Sequence, residues 1–239
     1  MKILALDSSA AVATVALCEN ERLLAEYTLN NGNTHSQTLL PMVETVLRSF
    51  GLTPADIDLF ACTAGPGSFT GVRIGAATLK GLAFDMGKPC VGVSTLEAIA
   101  ENLSHRAGLI CPVMNARRSQ VYTALFRSDG TTLTRLLTDS ALSIADLDKT
   151  LATYQEPISF CGDGYDVTLP ELTQTKALFV PERLRHQSAY SVAQLAWRQY
   201  RVGQSTTDAG LTVTYLRPSQ AERTRMEQLN KDHTNGEKE

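Results

Sequence analysis

The chain has 239 residues, enough for one large domain or two modest lobes, and 43% of them are hydrophobic, enough for a substantial core. Charged residues make up 20% and the formal net charge is -3, a balance that argues against an autonomous nucleic-acid binder, which carries a basic patch. The five cysteines (Cys18, Cys62, Cys90, Cys111 and Cys161) are odd in number and widely spaced, with no Cys-x-x-Cys. Small buried thiols in a reducing compartment are therefore expected.

The opening apolar run, 3–6, is too short for the core of a signal peptide and stops at Asp7. No stretch approaches the ~20 apolar residues that span a bilayer. A cytoplasmic protein is expected.

In chain order, 3–6 suits a strand covered on both faces, and Asp7-Ser8-Ser9 breaks it. Residues 14–18 and 23–29 read as two further strands, so the chain opens with a three-stranded meander. A helix follows, with Thr34 and Gln37 at capping-box spacing. Leu39, Val43, Val46 and Phe50 share one face, with Leu40 and Leu47 beside them. Pro41 kinks this helix or marks its start, and Gly51 ends it. Residues 59–63 form a buried-type strand that runs into Gly65-Pro66-Gly67-Ser68-Phe69-Thr70-Gly71-Val72-Arg73 and a second helix reaching Gly87. A short strand at 89–93 and a third helix at 95–103 complete the first half.

After a polar stretch at 104–108 the layout restarts. Strands are expected at 109–114, 121–126 and 133–137, a helix at 144–151, a strand at 158–161, the turn Gly162-Asp163-Gly164, and a helix at 191–200 with the only tryptophan, Trp197. Two meanders, each followed by alternating helix and strand, predict two related α/β lobes. The first covers 1–105 and is completed by 188–218; the second, smaller lobe covers 106–187. The polar tail at 219–239 is expected to be disordered. The layout is that of the two-lobed actin-like ATPase fold (ASKHA, RNase H-like). In that fold a nucleotide lies between the lobes, its phosphates against the first turn of each meander.

Asp7, Ser8 and Ser9 stand at the first such turn and offer a carboxylate and two hydroxyls to a magnesium–phosphate group. The same residues also suit an ordinary turn in which Asp7 accepts local backbone hydrogen bonds. The segment 65–73 can hold an anion at a helix N-terminus with Arg73 beside it. Close packing is the favoured reading: Ser68 or Thr70 caps the helix, and Gly71 and Gly75 let another backbone approach. No Walker A lysine follows. The four histidines, His35, His105, His186 and His233, form no metal-ligand pair, and His35 reads as a cap or surface residue.

Four segments together resemble the bacterial TsaB (YeaZ) family: Ala5-Leu6-Asp7-Ser8-Ser9, Thr34-His35-Ser36-Gln37-Thr38-Leu39-Leu40-Pro41, the glycine-rich run from Gly65 to Gly75, and Tyr215-Leu216-Arg217-Pro218-Ser219-Gln220-Ala221-Glu222-Arg223. The resemblance implies a subunit without catalysis that pairs with the enzyme TsaD and the ATPase TsaE. Together they make threonylcarbamoyladenosine in tRNAs that read codons beginning with adenosine. It implies no cofactor, contact with tRNA only through the complex, and no membrane association. The catalytic paralogue carries two metal-binding histidines four residues apart; by register, Thr95 and Ile99 stand there in this chain. The family's usual Asp-Ala-Arg at the second lobe's first turn is Asn115-Ala116-Arg117 here, with Gln120 after it. A neutral amide is a poor partner for a hard cation.

These readings place a partner interface on the first two helices, at Leu39, Leu40, Val43, Leu47, Gly71, Gly75 and Thr78, with Leu40 and Val43 as exposed apolar positions. The same face is expected to form a homodimer in the isolated protein. An actin-like phosphotransferase using Asp7 and a metallopeptidase are the competing classes.

Overall fold

The computed structural model describes residues 1–217; the expected disorder of 219–239 lies outside them. Lys2–Asp7 (β1), Ala13–Glu19 (β2) and Arg22–Leu29 (β3) form the antiparallel meander. The helix His35–Arg48 (α1) leads to Leu59–Thr63 (β4), which pairs parallel to β1. Phe69–Ala83 (α2) leads in turn to Cys90–Val93 (β5), parallel to β4. The sheet order is β3-β2-β1-β4-β5. Parallel pairs need a crossover helix, and α1 and α2 supply both.

Thr95–Glu101 (α3) carries the chain to a second sheet. There Gly108–Asn115 (β6), Gln120–Ser128 (β7) and Leu133–Ser143 (β8) repeat the meander. Ile144–Ala152 (α4), Ile158–Cys161 (β9), the short helix Tyr165–Thr168 (α5) and Ala177–Leu178 (β10) complete it, in the order β10-β9-β6-β7-β8. Ala189–Arg201 (α6) then returns to the first sheet. The protein is thus a two-lobed α/β molecule with the actin-like (ASKHA, RNase H-like) fold.

The central strands of the first sheet are buried on both faces, and alternate side chains feed two cores. Leu4, Leu6, Val15, Leu17 and Phe60 join α1 and α2 on one side. Ile3, Ala5, Ala16, Leu59 and Ala61 join Ala189, Val192 and Ala196 of α6 on the other. Each fully buried Leu, Ile or Phe contributes about 1.5–3 kcal/mol. Helix α3 is shared: Leu96, Ile99 and Ala100 enter the second-lobe core, and Ala98 enters the α6 side of the first. The buried Glu101 carboxylate at its end takes Arg198 of α6 in a two-pronged pair, 2.5 and 3.1 Å.

Several boundaries differ from the sequence expectation. Thr34 occupies the N-cap position of α1, but its side chain makes no capping bond. Instead its carbonyl accepts from the Gln37 N–H at 3.0 Å. Pro41 lies inside α1, past its first turn, and does not mark its start. Helix α2 stops at Ala83, before Gly87, and leaves Phe84 72% exposed. Strand β8 runs on to Ser143, six residues beyond the expected end at Leu137, past two shifts in its register with β7. All five cysteines are free and buried. Among the described residues, no helix is long and apolar enough to cross a membrane.

Candidate functional site

The turn after β1 is built by backbone chemistry. Asp7 is 1% exposed, and its Oδ1 accepts from the Ser9 N–H at 2.7 Å. This is the local turn bond that a short carboxylate makes two residues ahead. Asp7 Oδ2 is buried and unpartnered. Burial pushes the Asp7 carboxyl above its ordinary value, against the pull of Ser9.

Ser8 is enclosed by α2. Its hydroxyl donates to the Gly71 carbonyl at 2.9 Å. A Cβ at Gly71 would overlap the Ser8 carbonyl oxygen, and one at Gly75 would stand 2.8 Å from Ser8 Oγ. Ser9 accepts from the Ser68 N–H through its carbonyl at 2.7 Å. Ser68 caps α2 by accepting from the Gly71 N–H at 3.3 Å. The glycine-rich segment therefore packs against the first turn, and the hydroxyls of Ser8 and Ser9 are turned inward, each at most 1% exposed.

His35, read from sequence as a cap or surface residue, turns its ring to this turn: Nε2 lies 2.6 Å from the Ala10 carbonyl, and Nδ1 is buried without a partner. No local signal could have given this contact, because its partner lies 25 residues away in the chain.

The corresponding turn of the second lobe follows β6. Asn115 Oδ1 accepts from the Arg117 N–H at 2.8 Å. Arg117, Arg118 and Ser119 then run at φ of 63, 56 and 54°, a conformation uncommon for such residues. The fold brings Asp163 to this turn: its Oδ1 accepts from the Asn115 N–H at 3.2 Å. Gly162 and Gly164 lie against the backbone of Val113, where a side chain would not fit. Sequence reasoning registered Gly162-Asp163-Gly164 only as a turn and missed this carboxylate. Burial pushes the Asp163 carboxyl up as well. A groove of about 640 Å³ lies elsewhere, between β3, the end of α3, the loop 183–188 and α6.

Thr95 and Ile99 are both fully buried, and Ile99 belongs to the second-lobe core. Among the described residues no cluster of His, Cys, Asp and Glu could hold a metal ion.

The first two helices divide the interface residues expected there. Leu39, Val43 and Leu47 are 1, 1 and 4% exposed and pack in the first-lobe core. Val43 is thus not an exposed position. The cause is helical spacing: 39, 43, 46 and 47 share the stripe that faces β2. Leu40, one position round, is 45% exposed. Gly71 and Gly75 are occupied by Ser8, and Thr78 is half-buried. The outward stripe of α2 consists of Arg73, Ile74, Ala77, Thr78 and Gly81, small or partly apolar at i, i+3 and i+4 spacing. A Cβ at Gly81 would meet nothing within 4 Å. Ile74, Ala77 and Gly81 were not singled out from sequence, although their spacing was legible there.

Residues 22–227 match the family model for TsaD, described as tRNA N6-adenosine threonylcarbamoyltransferase. A relative in Bacillus subtilis (strain 168), named tRNA threonylcarbamoyladenosine biosynthesis protein TsaB, is 36% identical over 169 residues, covering 71% of this chain and 73% of the relative. The protein of the same name in Escherichia coli (strain K12) is 37% identical over 131 residues, covering 54% of this chain and 56% of its own length. The solved structure of YeaZ from Pseudomonas aeruginosa superposes with a TM-score of 0.75 at 26% identity, over 90% of this chain and 99% of that one. On this sequence and structural agreement, the chain belongs to the TsaB (YeaZ) family of tRNA threonylcarbamoyladenosine biosynthesis proteins.

Proposed function

We propose that this chain is a non-catalytic partner subunit. It supports a TsaD-type enzyme in forming threonylcarbamoyladenosine in tRNAs reading codons that begin with adenosine. The observation that carries this reading is the burial of Thr95 and Ile99 at the two positions where the catalytic paralogue's histidines fall by register. Isoleucine has no donor atom, and a side chain packed in a core offers nothing to an ion.

The docking face is the outer surface of α1 and α2, with Leu40, Ile74, Ala77, Thr78 and Gly81 at its centre. Small residues let a partner helix approach closely, and Leu40 adds an apolar anchor. In isolation the same face pairs with its own copy across a twofold axis. The subunit acts by binding the competent shape of the enzyme in preference to others. Contact with the TsaE-type ATPase and with tRNA comes through the assembly.

One observation favours a second reading, an actin-like ATP-dependent phosphotransferase: Asp163 returns a carboxylate to the second turn. Both carboxyls at the turns, Asp7 and Asp163, are pushed up by burial, which weakens them as magnesium ligands. ATP hydrolysis by the purified chain, set beside its co-purification with the TsaD-type enzyme, separates the two. The partner reading expects a stable complex and no hydrolysis above background.

A further inference from the structure

The Tyr215-Leu216-Arg217 segment does not belong to the proposed docking face or to either turn, yet it makes specific contacts with both lobes. We propose that residues 206–217 are a strap that couples the start of α2 to the first turn of the second lobe, with Tyr215 as its anchor and Arg217 as its latch. The proposal concerns the isolated chain and holds whether or not α2 docks a partner.

The strap is laid along the first lobe by backbone bonds. Thr206 and Cys90 exchange N–H···O bonds of 2.8 and 2.9 Å at the free edge of β5, and the Thr214 N–H donates to the Ala64 carbonyl at 2.7 Å. Leu211 enters the first-lobe core and Val213 packs against it. Gly65, at φ 108°, leaves room for the Thr214 carbonyl that a side chain would occupy. The Tyr215 ring stacks on Phe69, the first residue of α2, with centroids 4.7 Å apart and planes 9° from parallel. Its hydroxyl accepts from Arg73 Nε at 2.7 Å. This is a rigid aromatic anchor on the first turn of α2.

The next two residues change lobes. Leu216 packs against the second-lobe core. The Arg217 guanidinium donates to the Gln120 side-chain oxygen and to the Ala116 carbonyl, and lies 5.6 Å from the centroid of the Tyr122 ring. A planar fork with several donors suits this pair of acceptors, and a lysine does not reproduce it. Three consecutive residues thus join Phe69 and Arg73 in one lobe to Ala116 and Gln120 in the other. Two packed elements tied by so short a link shift together.

Amide hydrogen exchange on the full chain, followed by mass spectrometry, tests this. In Arg217→Ala, exchange should accelerate about tenfold at 115–122 and also at 68–73, with α4 unchanged. Arg217→Lys should behave like Arg217→Ala. Gln120→Ala, which leaves the strap residues intact, should reproduce acceleration at 68–73 and keeps the test open if the Arg217 variants fail to fold. Acceleration confined to 115–122 in the folded variants, or none at all, overturns the proposal.

Discussion

Ser8 and Gly71 touch twice: the Ser8 hydroxyl donates to the Gly71 carbonyl at 2.9 Å, and the Ser8 carbonyl fills the space where a side chain at residue 71 would stand. The turn after β1 and the first turn of α2 are therefore one packed unit. Gly71→Ala should destabilise the protein by more than about 2 kcal/mol, since backbone must move to admit the methyl group. Gly81 is in the same helix with open space around it, and Gly81→Ala should stabilise by roughly 0.5–1 kcal/mol. Urea unfolding of the two variants measures both changes, and equal effects would contradict the packing described.

Asp7 gives a pH signature. Burial raises its folded-state pKa above the ordinary 3.8. The unfolded chain releases this proton first, so the folded state holds more protons in between. The stability linked to Asp7 is complete below about pH 3.8 and is lost as pH rises through the folded value. Within that window wild type should lose up to about 1.4 kcal/mol per pH unit relative to Asp7→Asn. Melting curves of both proteins from pH 4 upward should diverge in the variant's favour. A wild type that gains stability relative to the variant as pH rises would reverse the assignment.

Leu40 and Val43 separate docking from folding. Leu40→Glu places a charge on a side chain already 45% exposed, whereas Val43→Glu places one where 1% is exposed. The first should leave the circular dichroism spectrum intact and lower partner capture at least tenfold, about 1.4 kcal/mol. The second should unfold the protein or cost several kcal/mol.

The thiols should be silent in the native state. Burial pushes Cys18, Cys62 and Cys111 up to about 12 and Cys90 up to about 11, and the thiolate is the reactive form. A thiol-specific chromogenic reagent at pH 8 should count none of the five before denaturation and all five after it.

Much of the fold was legible in the sequence because its signals are local. The double-faced burial of β1 and β4 shows as unbroken apolar runs, and the hydroxyls of Ser68 and Thr70 mark the start of α2, where the structure selects Ser68 as the cap. The two-lobe layout follows from the repeated meander. What the sequence concealed depends on contacts between distant segments. His35 meets Ala10, Asp163 meets Asn115, and Arg217 meets Gln120 across 97 residues; no periodicity encodes such pairs. The proposed docking face was half legible. A wide apolar stripe on α1 signals burial, and only the helical phase separates Leu40, which faces out, from Val43, which faces the sheet. The partial exposure of Ile74 and the openness around Gly81 come from how α2 sits on the sheet.

The most direct test of the partner reading is reconstitution of tRNA modification with the TsaD-type enzyme and TsaE-type ATPase of the same organism. Four mixtures are compared: this chain alone, the partners alone, the complete set, and the set with Gly81→Glu. Gly81 is chosen because a side chain there meets open space, so the fold should survive. The account predicts modification only in the complete set, with Gly81→Glu losing both the complex and the product while its melting temperature holds. Modification by the chain alone, or full modification with Gly81→Glu in place, would contradict it.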